Sequence, residues 1–115
     1  HQLEPVMMLM GARAQRVMML PGEDWYSLLI DFEDGRRANL NGYKNGSPFA
    51  MNIASASGNQ MVTVESDYFH EFIVALVRFF KTGRVEVAHE DTQRIMDVRG
   101  AGLRAQRTPG EWVRV

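Results

Sequence analysis

The side chains best suited to acid–base chemistry in this sequence are few and scattered. The chain has three histidines; His70 lies within the first predicted helix, and His89 precedes the second. An imidazole titrates near neutral pH and can serve as a general acid or base, so His70 is the first candidate. It falls, however, as a lone histidine on the polar side of its helix, which is typical of a surface residue. His89 precedes the second predicted helix, where it is expected only to shape the helix start.

Carboxylates cluster at Asp31, Glu33 and Asp34. A pair of carboxylates can work as acid and base, but these three fall at the tip of a predicted hairpin, where turn geometry and solubility explain them. Tyr43 and Lys44 lie in the turn-rich segment 41–48 and are the best polar candidates for touching a ligand. We therefore predict substrate contacts at Tyr43 and Lys44 and no catalytic residue in this chain.

The sequence contains no motif for a cofactor or a metal. There is no Gly-x-Gly-x-x-Gly after a strand, no phosphate-binding loop and no His-Glu-x-x-His, and the lack of cysteine excludes disulfides and thiolate sites. A thioether copper site is one interpretation of the clustered methionines, but no histidine lies near them after His1, so core packing is favoured. The clustered methionines are Met7, Met8, Met10, Met18 and Met19. We predict no cofactor and no metal bound by this chain.

Composition limits the classes of protein that remain. A chain of 115 residues is expected to form one domain, 1–115, and is too short for a nucleotide-binding domain plus a substrate domain. The formal charge of −1 gives no reason to expect nucleic acid as a partner, and we predict none. No apolar run approaches the roughly 20 residues that a membrane-spanning helix requires. We expect a soluble protein and favour the cytoplasm. The start at His1 is interpreted as a processed chain or a segment of a longer one.

The strongest element signal is an amphipathic helix from Ser66 to Gly83. Ser66 is predicted to cap it, Asp67 suits its positive first turn, and Gly83 is placed to end it in the left-handed conformation. We expect this helix to be the element against which the sheet packs, because its apolar stripe needs a broad apolar partner. The stripe comprises Phe69, Phe72, Ile73, Leu76 and Phe80, flanked by Val77 and Phe79.

Four or five antiparallel strands are predicted before this helix. The run 6–10 is interpreted as a strand buried on both faces, with helix as the competing interpretation, and 17–20 as its continuation or a short second strand. Alternation over 25–32 is the clearest strand signal; Asp34-Gly35 then predicts a tight turn and 36–41 the return strand. Residues 49–54 and 60–65 form a further predicted pair around Gly58-Asn59.

After Gly83 the pattern predicts a second helix and a short final strand. Acidic residues Glu90 and Asp91 suit the helix start, and small residues at Gly100 and Gly102 would allow close packing. Its four arginines could bind phosphate, but they spread around the helix, so a solvated surface is favoured. The arginines are Arg94, Arg99, Arg104 and Arg107, and the strand is predicted near Trp112, Val113 and Val115.

Several phrases of the sequence together resemble the glucose-fructose oxidoreductase and inositol dehydrogenase family (Gfo/Idh/MocA type), over nearly the whole chain. Residues 69–83, with Phe69, an apolar run and a closing Gly83, are similar to a helix in the family's closing segment. Glu90-Asp91-Thr92 is similar to the start of the next helix, and 110–113 to the final strand. LLIDFEDGRRANL and MNIASASGNQMVTVES are similar to two of its hairpins, and Glu4-Pro5-Val6 to the opening of its first sheet strand.

The resemblance implies an α+β fold with an open, mostly antiparallel sheet of four to six strands and two helices packed on one face. It also implies that this chain is the carboxy-terminal domain of an NAD- or NADP-dependent oxidoreductase acting on a sugar or polyol. The dinucleotide fold and the family's catalytic residues would belong to an upstream domain, and no family catalytic residue can be placed on this chain. The other sheet face would meet a second subunit, with Met7, Leu9, Trp25 and Leu29 as interface residues.

A second function from another class stays open. The chain could be a free-standing binding or assembly module that shares only the sheet-plus-helices plan, with the loop Gly42 to Pro48 as its contact surface. The sequence upstream of His1 would discriminate between the two, because a glycine-rich strand–turn–helix and a Glu-Lys-Pro phrase there would favour the oxidoreductase.

Overall fold

The computed structural model describes residues 1–63, 65 and 67–115, which form two compact units. Unit 1 comprises His1–Ser47 and His89–Val115, and unit 2 comprises Pro48–Ala88. The predicted α+β class with open antiparallel sheets is confirmed. The elements are α1 (Leu3–Met10), β1 (Ala14–Pro21), β2 (Trp25–Phe32), β3 (Arg37–Tyr43), β4 (Ala50–Ser55), β5 (Gly58–Thr63), α2 (Tyr68–Thr82), α3 (His89–Ala105) and β6 (Trp112–Arg114).

Unit 1 contains a four-stranded antiparallel sheet in the order β3-β2-β1-β6. The predicted hairpin between β2 and β3 is confirmed: Gly35 has a φ of 85° and the Asp34 side chain accepts a hydrogen bond from the Arg36 backbone N–H. Residues 17–20 form part of a separate strand, β1. The strand predicted near Trp112 is β6, which pairs with β1 at one edge.

The core lies on one face of this sheet, here called the inner face. Alternate residues of the strands point into it, and α3 covers them with Val98, Ala101 and Ala105, each fully buried. Gly102 brings α3 close to the sheet, since a Cβ at this position would lie 3.6 Å from a Leu28 methyl group. The strand residues of the core are Val17, Met19, Leu28, Ile30, Phe32 and Leu40. The small residues of α3 therefore allow the close packing that the sequence predicts.

The interpretation of residues 6–10 as a strand is wrong, and the competing helix is correct. Unbranched methionine and leucine lose little rotamer freedom in a helix, and Pro5 occupies the first turn of α1, where no backbone N–H is required. Gly11, with a φ of 64°, ends the helix in the left-handed conformation. The guanidinium of Arg36 also donates a hydrogen bond to the carbonyl of Met10. Helix α1 contributes Met7 to the core of the inner face, so α1 and α3 both pack there.

Unit 2 consists of the hairpin β4–β5 and the helix α2. The helix is confirmed, and Gly83 ends it as predicted, with a φ of 69° and its N–H donated to the Phe79 carbonyl at 2.7 Å. Asp67 is the N-cap, because its carboxylate accepts the His70 N–H at 3.0 Å. The predicted cap Ser66 and the strand residue Val64 lie outside the described residues.

The expectation that this helix is the central element of the core is corrected. None of the fifteen described residues of α2 is buried, and its stripe residues Phe69 and Phe80 are 71% and 77% exposed. In unit 1 the place expected for it is taken by α3, whose small residues fit directly against the strands. The amphipathic pattern correctly predicted a helix, but it carries no information on what that helix packs against.

Candidate functional site

Several polar and aromatic side chains of the unit 1 strands lie on the face of the sheet opposite the core, here called the outer face. Directly paired residues of antiparallel strands point to the same face, so the strand register defines rows of side chains that run across the sheet. The rows are Arg37–Asp31–Arg16–Arg114, then Asn39–Leu29–Met18–Trp112, then Asn41–Ser27–Leu20, and finally Tyr43–Trp25.

The first of these, the charged row, is held together by Asp31. Arg37 Nε donates to its Oδ1 at 2.6 Å, and Arg16 Nε donates to its Oδ2 at 2.8 Å. The side chain of Asp31 is only 13% exposed. The hydrogen bond from Arg37 is the main reason that the pKa of Asp31 is lowered; partial burial opposes this, and the hydrogen bond from Arg16 adds to it. Asp31 is therefore ionised at neutral pH, and its two hydrogen-bond partners fix the position of its side chain.

Trp112 forms an aromatic wall beside the charged row. The guanidinium carbon of Arg16 lies 4.3 Å from the centroid of its ring, and that of Arg37 lies 5.3 Å from it. Cations over an indole face are attracted by its quadrupole, so the ring and Asp31 together restrict where the two guanidinium groups can point.

Ser27, Asn39 and Asn41 form a second polar group further along the outer face. The Ser27 hydroxyl lies 2.6 Å from Asn39 Oδ1 and 2.9 Å from Asn41 Oδ1, and Ser27 is the one buried polar residue of the described chain. Because the hydroxyl has a single hydrogen, Ser27 can donate to only one of these two amide oxygens at a time, and the NH₂ groups of both asparagines are not used in these contacts.

Two predicted site residues meet at the far end of this face. Tyr43, predicted to touch substrate, is the cross-strand partner of Trp25, predicted to lie in an interface, and both are exposed. Tyr43 belongs to β3 and not to a loop. Its neighbour Lys44 follows the strand and lies 3.6 Å from a carboxylate oxygen of Asp24. The indole of Trp25 covers Gly22, where any Cβ would overlap the ring.

The other predicted interface residues are separated by the helix that replaces the expected strand. Met7 is 7% exposed and belongs to the core, so it cannot form part of an interface surface. Leu9 is exposed on α1, and only Leu29 shares the outer face with Trp25. The expected apolar outer face is corrected as well, because a charged row and a Ser–Asn group lie among its apolar side chains.

The charged row was missed by sequence reasoning. The sequence predicts Asp31 at the hairpin tip, but it lies inside β2 and pairs with Arg37 of β3. The alternation that puts Phe32 into the core puts Asp31 on the opposite face, and this signal was present in the sequence. The cross-strand register, which brings Arg16 and Trp112 beside Asp31, could not be deduced from the sequence.

Other parts of the described chain offer weaker candidates for a functional site. A shallow cleft of about 180 Å³ lies between α1 and α3, below the several hundred Å³ of a typical ligand pocket. Its lining residues include Met7, Met8, Asp91, Arg94 and Ile95. Within residues 1–63, 65 and 67–115, no three His, Asp or Glu side chains are grouped so as to hold a metal ion. No described helix has the length and apolar character needed to cross a bilayer.

Comparison with protein-family models found no match, and comparisons with curated proteins and with solved structures found none either.

Proposed function

We propose that this chain is the substrate-walling domain of an NAD- or NADP-dependent oxidoreductase that acts on a sugar or polyol, and that it is not catalytic on its own. The observation that carries the proposal is the outer face of the unit 1 sheet, where fixed hydrogen-bonding groups lie beside aromatic rings. In the proposed parent enzyme, the dinucleotide and the hydride-transfer residues belong to an upstream nucleotide-binding domain.

The chemistry of the outer face supports a ligand rich in hydroxyl groups. Adjacent hydroxyls match planar groups with two hydrogen-bonding atoms, such as the amides of Asn39 and Asn41. The C–H faces of a sugar ring suit an aromatic wall, which the exposed cross-strand partners Tyr43 and Trp25 supply at the far end of the face.

The order of elements gives further support. The hairpin β2–β3, the hairpin β4–β5, the helix α2 with its glycine stop, the helix α3 and the final strand β6 follow one another as the family resemblance implies. The exception is α1, where the resemblance implies a strand.

A homodimer that meets through the outer face remains part of the proposal. The exposed apolar residues Leu20, Trp25 and Tyr43 favour a contact at that end of the face. The charged row disfavours a dimer contact at the other end of the face, because burying the charged groups of Arg16 and Arg37 costs solvation free energy. Trp25→Glu should therefore convert a dimer to a monomer in sedimentation velocity experiments, whereas an unchanged dimer would remove this contact from the proposal.

Titration of the isolated ¹⁵N-labelled chain tests the function itself. Glucose or inositol should shift amide signals of the outer face, and Asn39→Ala should weaken that binding about three- to tenfold, since one or two hydrogen bonds are lost. Asn52→Ala, an exposed asparagine of β4 in unit 2, is the matched control and should change nothing. NADH and NADPH should not bind. Saturable binding of either dinucleotide, or sugar-induced shifts confined to unit 2, would overturn the proposal.

A free-standing assembly module is the second candidate, and the exposed apolar stripe of α2 favours it. Large side chains such as Phe69, Phe72 and Phe80 on an exposed helix typically mark a surface that associates with a partner. If this is the function, Phe72→Glu should abolish self-association or partner capture while leaving any sugar binding intact. Sugar binding without any association through α2 would favour the oxidoreductase domain.

A further inference from the structure

The charged row of the outer face has an excess of positive charge at one end. Across the four strands, its members are Arg37, Asp31, Arg16 and Arg114, so the row holds three guanidinium groups and one carboxylate, which contacts only those of Arg37 and Arg16. We propose that the space between Arg16 and Arg114, beside Trp112, binds an oxyanionic group of a small molecule, either a carboxylate or a phosphate ester. This inference deepens the proposed function and rests on it for the nature of the ligand, an acidic or phosphorylated sugar or polyol.

Both oxygens of the Asp31 carboxylate already accept hydrogen bonds within the row. Asp31 accepts hydrogen bonds from Arg37 on one oxygen and from Arg16 on the other, and Arg16 reaches that second oxygen through both Nε and a terminal nitrogen at 2.8 Å. This leaves Arg16 with N–H groups that Asp31 does not occupy. Arg114 forms no ion pair with any described residue.

The strand register sets two like charges opposite each other. Arg16 and Arg114 are direct cross-strand partners, and like charges in this position destabilise an antiparallel pair. An anion between them would replace this repulsion with two charge-assisted contacts. Arg104 adds to the positive potential at the same edge, because its guanidinium donates to the Arg114 carbonyl at 2.8 Å. The arrangement thus offers a bound anion more than one donor.

One of the two guanidinium groups is also held in place before a ligand arrives. Arg16 lies against the Trp112 ring at 4.3 Å and is fixed by Asp31, so little side-chain freedom remains to be lost on binding. The planar fork of arginine matches the oxygens of a carboxylate or phosphate. The overall charge of −1 fits a small ligand better than a polyanion, because the excess positive charge is local.

A titration of the ¹⁵N-labelled chain with inorganic phosphate, and separately with acetate, tests this site at constant ionic strength set with chloride. The chain has two tryptophans, so the indole signal of Trp112 can be assigned with a Trp25→Phe variant. The expected result is a saturable shift of the Trp112 indole and of the amides around Arg16 and Arg114. Stronger binding of phosphate than of acetate would identify a phosphate ester as the natural group, and the reverse would identify a carboxylate.

Arg114→Gln provides the decisive variant, because it removes one charge from an exposed edge-strand position without disturbing the Asp31 contacts. It should weaken binding by about tenfold, the effect of losing one charge-assisted contact. Arg99→Gln, which removes the same charge from exposed α3 on the opposite side of the sheet, is the matched control and should bind as the unchanged chain does. Equal affinity of the two variants, or no saturable binding of either anion to the unchanged chain, would overturn the inference.

The two proposals can fail separately in these experiments. If glucose or inositol binds the outer face but phosphate and acetate do not, the anion site is wrong and the substrate wall stands. If an anion binds between Arg16 and Arg114 but no sugar or polyol binds, the anion site stands and the oxidoreductase proposal loses its support.

Discussion

Replacing Asp31 by asparagine should destabilise the protein at neutral pH and much less in acid. Asparagine has nearly the same shape but no charge, so Arg16 and Arg37 lose their shared carboxylate and stand on the same face as Arg114. Both guanidinium groups are about half exposed, which limits the gain from each contact. We expect a loss of about 1–2 kcal/mol in the free energy of unfolding at pH 7.

The pH dependence follows from the sign of the pKa shift. The contacts with Arg37 and Arg16 lower the pKa of Asp31 in the folded chain. Its stabilising contribution is therefore fully present above the unfolded pKa of about 3.9 and is lost as the pH falls through the lower folded value. Once the carboxyl group is protonated, the original chain and Asp31→Asn should have similar free energies of unfolding.

Urea unfolding followed by circular dichroism measures this difference. A loss of 1–2 kcal/mol corresponds to a fall of roughly 0.5–1 M in the urea midpoint at pH 7. Asp24→Asn is the control, because Asp24 is exposed and its nearest cation, Lys44, is 3.6 Å away; its midpoint should change by less than half as much. Asp31 does not stabilise the fold through its charge if Asp31→Asn costs nothing at pH 7, or if its cost is the same in acid as at neutral pH.

Three further substitutions test the packing of unit 1, each by urea unfolding. Val98→Ala should cost about 2–3 kcal/mol, because this fully buried side chain fills the α3–sheet core, and a cost below 1 kcal/mol would contradict that position. Gly100→Ala should stabilise by about 0.5–1 kcal/mol, since a Cβ would come no closer than 3.7 Å to the Arg104 guanidinium; destabilisation would mean that the helix is packed differently. Gly42→Ala should cost about 1–2 kcal/mol, because its Cβ would lie 2.2 Å from the Tyr26 ring and force it away from Gln2; a neutral result would show that the ring does not lie there.

The hairpins and helix ends were predictable because local chemistry determines them. Asp34-Gly35 requires a turn with positive φ, and Gly83 after an apolar helical repeat marks a left-handed stop. The run after Pro5 was not assigned correctly, because a short apolar stretch fits either a buried strand or a helix. Its unbranched methionines were the better guide than its length.

The site depends on information that periodicity does not carry. Alternation in β2 places Asp31 on the face opposite the core residue Phe32, so the position of this one member of the charged row could have been predicted from the sequence. The pairing of β1 with both β2 and β6, which places Arg16 between Asp31 and Arg114, joins residues almost 100 positions apart. Nothing local specifies that pairing. The predicted contacts Tyr43 and Lys44 fall at the far end of β3, and their role in binding stays a prediction.

The outer face as the ligand-binding surface is tested most directly by mapping amide and indole shifts while the ¹⁵N-labelled chain is titrated with inositol and then with inorganic phosphate. Shifts are expected at Asp31, Asn39 and Trp112, with the phosphate effects centred between Arg16 and Arg114. Shifts confined to unit 2, or no saturable shift with any of these probes, would contradict ligand binding at the outer face.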